Sequence, residues 1–327
     1  MNDSRLRIAK HPAVIAVLLL ILAALSPLSG CRKTQDTPVY VVPLEEPGPT
    51  PLQCTLIRTI DSKLTRLTGV VVDPSGHIFA VGVGAVNVLD EQGNLLHRWE
   101  RQEDLRCITI AEDGKVYLGA PGRIIKLNAD GIQIASWETA GAGGPKLGRI
   151  TSVAVRGIEL LAADADQRCI HRFTVEGDFS NDIARAEAGN PDTGLAVPSP
   201  HLDCAFDSSG NALITDPGRL RLETYTLDGK FLSKWGRPGM EAVNFCGCCN
   251  PTDIALTPDG NVVTAEKGIF RVKVYDPTGR MLAFIHPELF SGKEPGMDIA
   301  VDGAGRIYVA DPGDGKIRVF TLSAEAK

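Results

Sequence analysis

From residue 67 onward, short apolar runs alternate with turns rich in glycine and aspartate. One unit keeps returning: a short apolar strand, a Gly turn, a second strand ending in a small or acidic loop, a third strand, and another Gly turn. Its first strands read Gly69-Val-Val-Val-Asp73, Cys107-Ile-Thr-Ile-Ala111, Ser152-Val-Ala-Val-Arg156, Asp203-Cys-Ala-Phe-Asp207, Asp253-Ile-Ala-Leu-Thr257 and Asp298-Ile-Ala-Val-Asp302. Successive starts lie 38, 45, 51, 50 and 45 residues apart. Repeats of this length, built from short strands, predict the blades of a β-propeller. Asp113-Gly114, Asp130-Gly131, Asp228-Gly229 and Asp259-Gly260 fall between strands, and Asx-Gly supplies the positive φ that a tight hairpin needs. Third strands such as Arg271-Val-Lys-Val-Tyr275 and Lys316-Ile-Arg-Val-Phe320 alternate polar and apolar residues, as half-exposed strands do.

The last unit ends at Phe320-Thr-Leu322 without a fourth strand, while Cys54-Thr-Leu-Ile-Arg-Thr-Ile60 precedes the first unit with no partner nearby. The expectation is an all-β, six-bladed propeller in which this N-terminal strand completes the last blade, so that no sheet edge stays open. Trp99, Trp137 and Trp235 end three fourth strands at comparable places, which points to packing between blades.

The strings Asp298-Ile-Ala-Val-Asp302, Gly305-Arg-Ile-Tyr-Val-Ala-Asp311 and Ile317-Arg-Val-Phe320 resemble NHL repeats, and the resemblance runs over residues ~54 to 322. Cys246-Gly-Cys-Cys-Asn-Pro251 with Glu266-Lys-Gly268 resembles a bacterial group of NHL-repeat proteins, many of them lipoproteins, that carry a CGCCNP string. The resemblance implies fold and placement more than activity.

The N-terminus reads differently. Arg5, Arg7 and Lys10 precede an apolar run from Pro12 to Leu25, followed by Leu28-Ser-Gly-Cys31. Basic residues, a short apolar stretch and small residues before a cleavage point make a secretory leader, and the last four residues resemble the bacterial lipobox. Residues 1–30 are read as a lipoprotein signal peptide. Residues 31–51 are read as a tether from a lipidated Cys31, stiffened by Pro38, Pro43, Pro47, Pro49 and Pro51. Residues 52–327 are read as the propeller. The expected place is the bacterial cell envelope, lipid-anchored and extracytoplasmic, facing the periplasm or the cell surface.

A net charge of -6 without basic clusters argues against nucleic acid as a partner. In a propeller the loops entering each first strand and the loops joining second to third strands share one face. That face gathers His201, Asp216, Arg219, Asn250, Glu266, Lys267, Arg271 and Asp311, with Asp164, Asp166 and Asp314 beside them. Lys267, Arg271 and Arg219 together suit an anionic ligand. Asp164, Asp216 and Asp311 also suit a local role, capping their own turns.

Cys246, Cys248 and Cys249 are the most distinctive group on this face. Setting Cys31 aside leaves seven cysteines, an odd number. Three readings stay open: a bridge from Cys246 to Cys249 or to Cys204, a thiolate site for Cu or Zn, and a redox dithiol. Cys107, Cys169 and Cys204 fall inside strands and read as small core residues; His77, His97, His171 and His286 read as structural. Six-bladed propellers include calcium-dependent lactonases and a zinc-dependent lyase. Asp203, Asp253 and Asp298 begin first strands here, but no matching Glu and Asn ligands accompany them. No Gly-x-Ser-x-Gly, His-Glu-x-x-His or phosphate loop is present. The expected role is a monomeric binding or scaffold module for an envelope protein or polymer, with a metal or redox protein using the cysteine cluster as the alternative.

Overall fold

The computed structural model describes residues 52–188, 190, 193–293 and 296–324. The leader, Cys31 and the proline-rich stretch lie outside the described residues. Among the described residues, twenty-three strands and two short 3₁₀ turns make up the regular structure, and the strands group into six sheets. Five are four-stranded and antiparallel, four of them meanders of consecutive strands. The first blade departs from that pattern: β3 (Ile78–Leu89) is one continuous strand where two were expected. Its first half pairs with β2 (Leu67–Val72) and its second half with β4 (Leu95–Asp104). Gly84, at φ +85°, sits between the halves, where the pairing with β4 shifts register between Val83 and Ala85.

The inner strands are β2, β5 (Cys107–Ile110), β9 (Ile150–Arg156), β13 (Cys204–Phe206), β17 (Asp253–Leu256) and β21 (Asp298–Val301). Each touches the next, and β21 touches β2, which closes the ring. The closure forms as the sequence predicts: β1 (Leu52–Asp61) pairs antiparallel with β23 (Lys316–Ala324), setting Cys54 opposite Leu322 and Ile60 opposite Ile317. The core is divided between the blades. Six apolar clusters each fill one gap between adjacent sheets, for example Leu161, Ile170, Leu202 and Ile214 between blades 3 and 4. The second strands explain this: they are buried along their length, so each sheet has an apolar surface on both faces and buries each against a neighbour.

The inner ends of the blades are tied by side chains. Asp203 accepts from the Ile254 amide, Asp253 from Ile299 (2.9 Å) and Asp298 from Val70 (2.7 Å). These aspartates occupy the first position of the repeat in blades 4, 5 and 6, and each reaches the backbone of the next blade round. Gly69, Cys107 and Ser152 hold the same position in blades 1 to 3.

Candidate functional site

The entry loops and the second-to-third loops do meet on one face, through a recurring clasp. An acid at the end of the second strand accepts from an entry-loop amide: Gly148 to Asp164 (2.6 Å), Ala196 to Asp216 (2.8 Å), Cys246 to Glu266 (3.3 Å) and Ser291 to Asp311 (2.6 Å). These acids are buried and three of them face a strand cation. Asp216 lies 3.2 Å from Arg221, Glu266 3.0 Å from Arg271 and beside Lys273, and Asp311 3.0 Å from Arg318. Asp164 and Asp311 also accept from amides of their own turns. Asp164, Asp216, Glu266 and Asp311 therefore brace the face from beneath.

The fifth blade carries the densest version. Glu266, Arg271 and Lys273 are all at most 4% exposed, and Lys273 Nζ lies 4.2 Å from the Phe245 ring centre. Burial lowers Lys273 to about 8, against the opposing pull of Glu266. Breaking a buried ion pair of this kind costs about 3–5 kcal/mol, so these charges hold the loop. Asn250 completes it: its amide donates to the carbonyls of Cys246 and Lys267, and its oxygen accepts from the Lys267 amide (2.9 Å). The Asn250–Pro251 peptide is cis.

The three cysteines of this loop do not converge on one point. Cys246 Sγ lies 3.5 Å from Glu266, whereas Cys248 and Cys249 have their sulfurs 3.3 Å apart. The seven described cysteines are all free thiols, so neither a Cys246–Cys249 nor a Cys246–Cys204 bridge is present. Cys246 is raised above the ordinary thiol range by burial and by Glu266. Cys248 is raised by its hydrogen bond to Cys249. Neither is drawn toward the thiolate that a reactive dithiol needs.

The structure likewise separates the cations expected to act together. Arg271 is turned inward to Glu266. Arg219 bonds Asp216 and the Gly194 carbonyl (2.9 and 2.7 Å). Of the three, Lys267 is the one whose charge acts on His201 at the mouth of the central channel.

That mouth holds a cavity of about 340 Å³. Arg66, Arg106 and Arg149 line it, each immediately preceding the inner strand of blade 1, 2 or 3; His201, Thr252 and Met297 supply the other half. Arg66 is exposed and makes no ion pair among the described residues. Arg106 pairs with Asp104, and Arg149 lies 3.4 Å from Asp166. Burial lowers His201 to about 4, helped by Lys267, so the ring is neutral at pH 7. A second cavity of about 490 Å³ occupies the rest of the channel, and Asp253 and Asp298 line both. Burial raises Asp203 to about 6 and Asp298 to about 8; it raises Asp253 as well, with its two acidic neighbours adding to the effect. Cys107 and Cys204 belong to the apolar clusters between blades, as expected, and also border this inner channel.

Sequence reasoning found His201 and the Cys246 loop but missed the three arginines. Their signal is positional: an Arg at the residue before the inner strand in three consecutive units. It also missed Lys273, whose alternating strand pattern reads as half-exposed.

No family model matches the chain, and no curated protein matches it. Among solved structures it is similar to a catalytically inactive virginiamycin B lyase from Staphylococcus aureus with quinupristin, at 15% identity and TM-score 0.58, covering 83% of this chain and 100% of that one. A structural-genomics protein of unknown function from Bacteroides thetaiotaomicron aligns at 13% identity and TM-score 0.57, over 84% and 76% of the two chains. The WD40 propeller domain of Doa1 aligns at 11% identity and TM-score 0.53, over 83% and 97%. At these identities the likeness is one of fold, and the fold is the six-bladed β-propeller.

Proposed function

We propose that this protein is a binding module of the NHL-repeat kind, held at the bacterial envelope by a lipid on Cys31, whose entry-loop face takes an anionic group of an envelope protein or polymer. The arginine arc at the channel mouth carries the reading. Arg66, Arg106 and Arg149 border a single cavity, and Arg66 has its charge unspent. Guanidinium groups bind carboxylate and phosphate through paired hydrogen bonds, each worth about 1.5–3 kcal/mol to a charged partner. The leader and lipobox residues support the placement, and the proline-rich stretch suits a spacer between membrane and ring.

The test uses polyglutamate and polyphosphate as probes against the full chain in detergent. Wild type is expected to bind at least one of them in a salt-dependent way. Arg66→Ala combined with Arg149→Ala is expected to weaken that binding at least tenfold while leaving the unfolding midpoint close to wild type. Binding that survives the double change, or that never appears, overturns the reading.

A redox role for Cys248 and Cys249 is the second reading, supported by the 3.3 Å separation of their sulfurs and the exposure of Cys248. It requires reversible loss of two titratable thiols on mild oxidation, absent in Cys248→Ser.

A further inference from the structure

We propose that Cys169 Sγ, His171 Nδ1 and Asp182 Oδ1, in the outer half of blade 3, form a site for one divalent transition-metal ion, with zinc the best match to the donors. The residues lie on β11 (Cys169–Thr174) and β12 (Phe179–Ile183). Their donor atoms all fall within 4.8 Å of one another. A thiolate, an imidazole and a carboxylate are the ligand types that zinc takes in proteins.

Three observations support the assignment independently of that proximity. The first is the comparison between blades. At the clasp, Asp164 pairs across the strands with Cys169, where Asp216 has Arg221 and Asp311 has Lys316. Two residues further along β11, His171 stands where Lys273 and Arg318 stand in blades 5 and 6. Blade 3 therefore carries metal-ligating side chains at two strand positions that hold Arg221 or Lys316, and Lys273, Arg318 or (in blade 4) Glu223, elsewhere. Asp182, directly across from His171, adds a third; the corresponding positions carry Lys234 and Phe284 in blades 4 and 5.

The second is orientation. His171 Nε2 lies 3.2 Å from Asp164 Oδ2, which presents Nδ1 to Cys169 (4.0 Å) and Asp182 (2.6 Å). A ligating histidine is held in this way by a carboxylate on its far nitrogen. Arg185 takes the other oxygen of Asp182 (2.6 Å) and leaves Oδ1 to the site. Tetrahedral zinc separates S from N by about 3.5 Å and N from O by about 3.3 Å. The S–N and N–O separations each need to change by less than about 1 Å to reach that geometry.

The third is access. Cys169 and His171 are fully buried, while the Asp182 side chain is 20% exposed and opens the route in. The described residues supply three ligands, and water completes the shell.

The full chain, purified with a chelator that is then removed, is titrated with Co(II) and then with Zn(II). The expected result is a thiolate-to-Co(II) charge-transfer band that saturates at one ion per chain and is bleached by Zn(II). It persists in the variant combining Cys246→Ser, Cys248→Ser and Cys249→Ser, and is absent in Cys169→Ser. Asp164→Asn weakens the affinity about 10–100-fold. Absence of the band in wild type, its survival in Cys169→Ser, or its loss in the three-cysteine variant overturns the proposal. If Cys169→Ser fails to fold, zinc-edge X-ray absorption of the three-cysteine variant decides: one sulfur among nitrogen and oxygen neighbours supports the site, and none or several overturns it.

Discussion

Asp298 shows how one buried side chain both ties the ring and strains it. Its carboxylate accepts from Val70 across the last blade junction, yet it stands beside two more acids, and burial raises it from 3.8 to about 8. The sign of the pH dependence follows. The folded chain holds a proton that the unfolded chain releases, so this contribution is full below the unfolded value and is lost as pH climbs from about 4 to about 8. Asp298→Asn keeps an acceptor for Val70 without the charge. The variant is expected to gain about 1–3 kcal/mol over wild type at pH about 8.5 and close to nothing at pH about 4. Urea unfolding at both pH values measures it, and an equal difference at both would contradict the assignment. The three acids were legible as repeat positions, but their strain was not, because it arises from residues about 50 and 95 positions apart.

At the scale of the element, the tryptophans explain the glycines. Trp137 closes the last strand of blade 2, stacked on Tyr117. Gly177, in the third-to-fourth hairpin of blade 3, lies against it at φ +96°, and a Cβ there would fall 1.5 Å from Trp137 Nε1. Gly131 stands in the same relation to Trp99, and Gly279 to Trp235. The hairpin glycine thus serves two ends, a left-handed turn and a seat for the neighbouring indole. Gly177→Ala is expected to cost about 2–4 kcal/mol, combining backbone strain with overpacking. Gly143→Ala also falls at a positive φ (+73°) but meets nothing within 4 Å, and should cost only about 1 kcal/mol. Thermal or urea unfolding of the two variants separates the terms, and equal losses would remove the packing argument. The Trp register was visible in the sequence; the partner glycines were ambiguous, since every hairpin needs one.

For the whole molecule, closure is the decisive contact. β1 pairs along its length with β23, and Ile60 joins the cluster between blades 6 and 1 with Leu67, Tyr308 and Ile317. Deleting residues 1–61 removes that strand and exposes β23 as an edge. The shortened chain is expected to unfold over a broad, weakly cooperative transition and to self-associate on size exclusion. A sharp transition from a monomer would show that the ring holds without its clasp.

The sequence alone determined the repeat number, the blade pattern and the closing strand. These follow from a period-2 burial pattern and turn chemistry that are local to each unit. Only the tertiary structure decided which charged side chains turn inward. Lys273 and Arg318 alternate along their strands as surface residues would, but each blade is covered on both faces, so their charges are met by Glu266 and Asp311. The same covering put His171 between Asp164 and Asp182 beside Cys169. It also left Arg66, Arg106 and Arg149, from three separate units, around one opening at the axis. Those neighbours are set by the closing of the ring, which brings together residues that no local pattern relates.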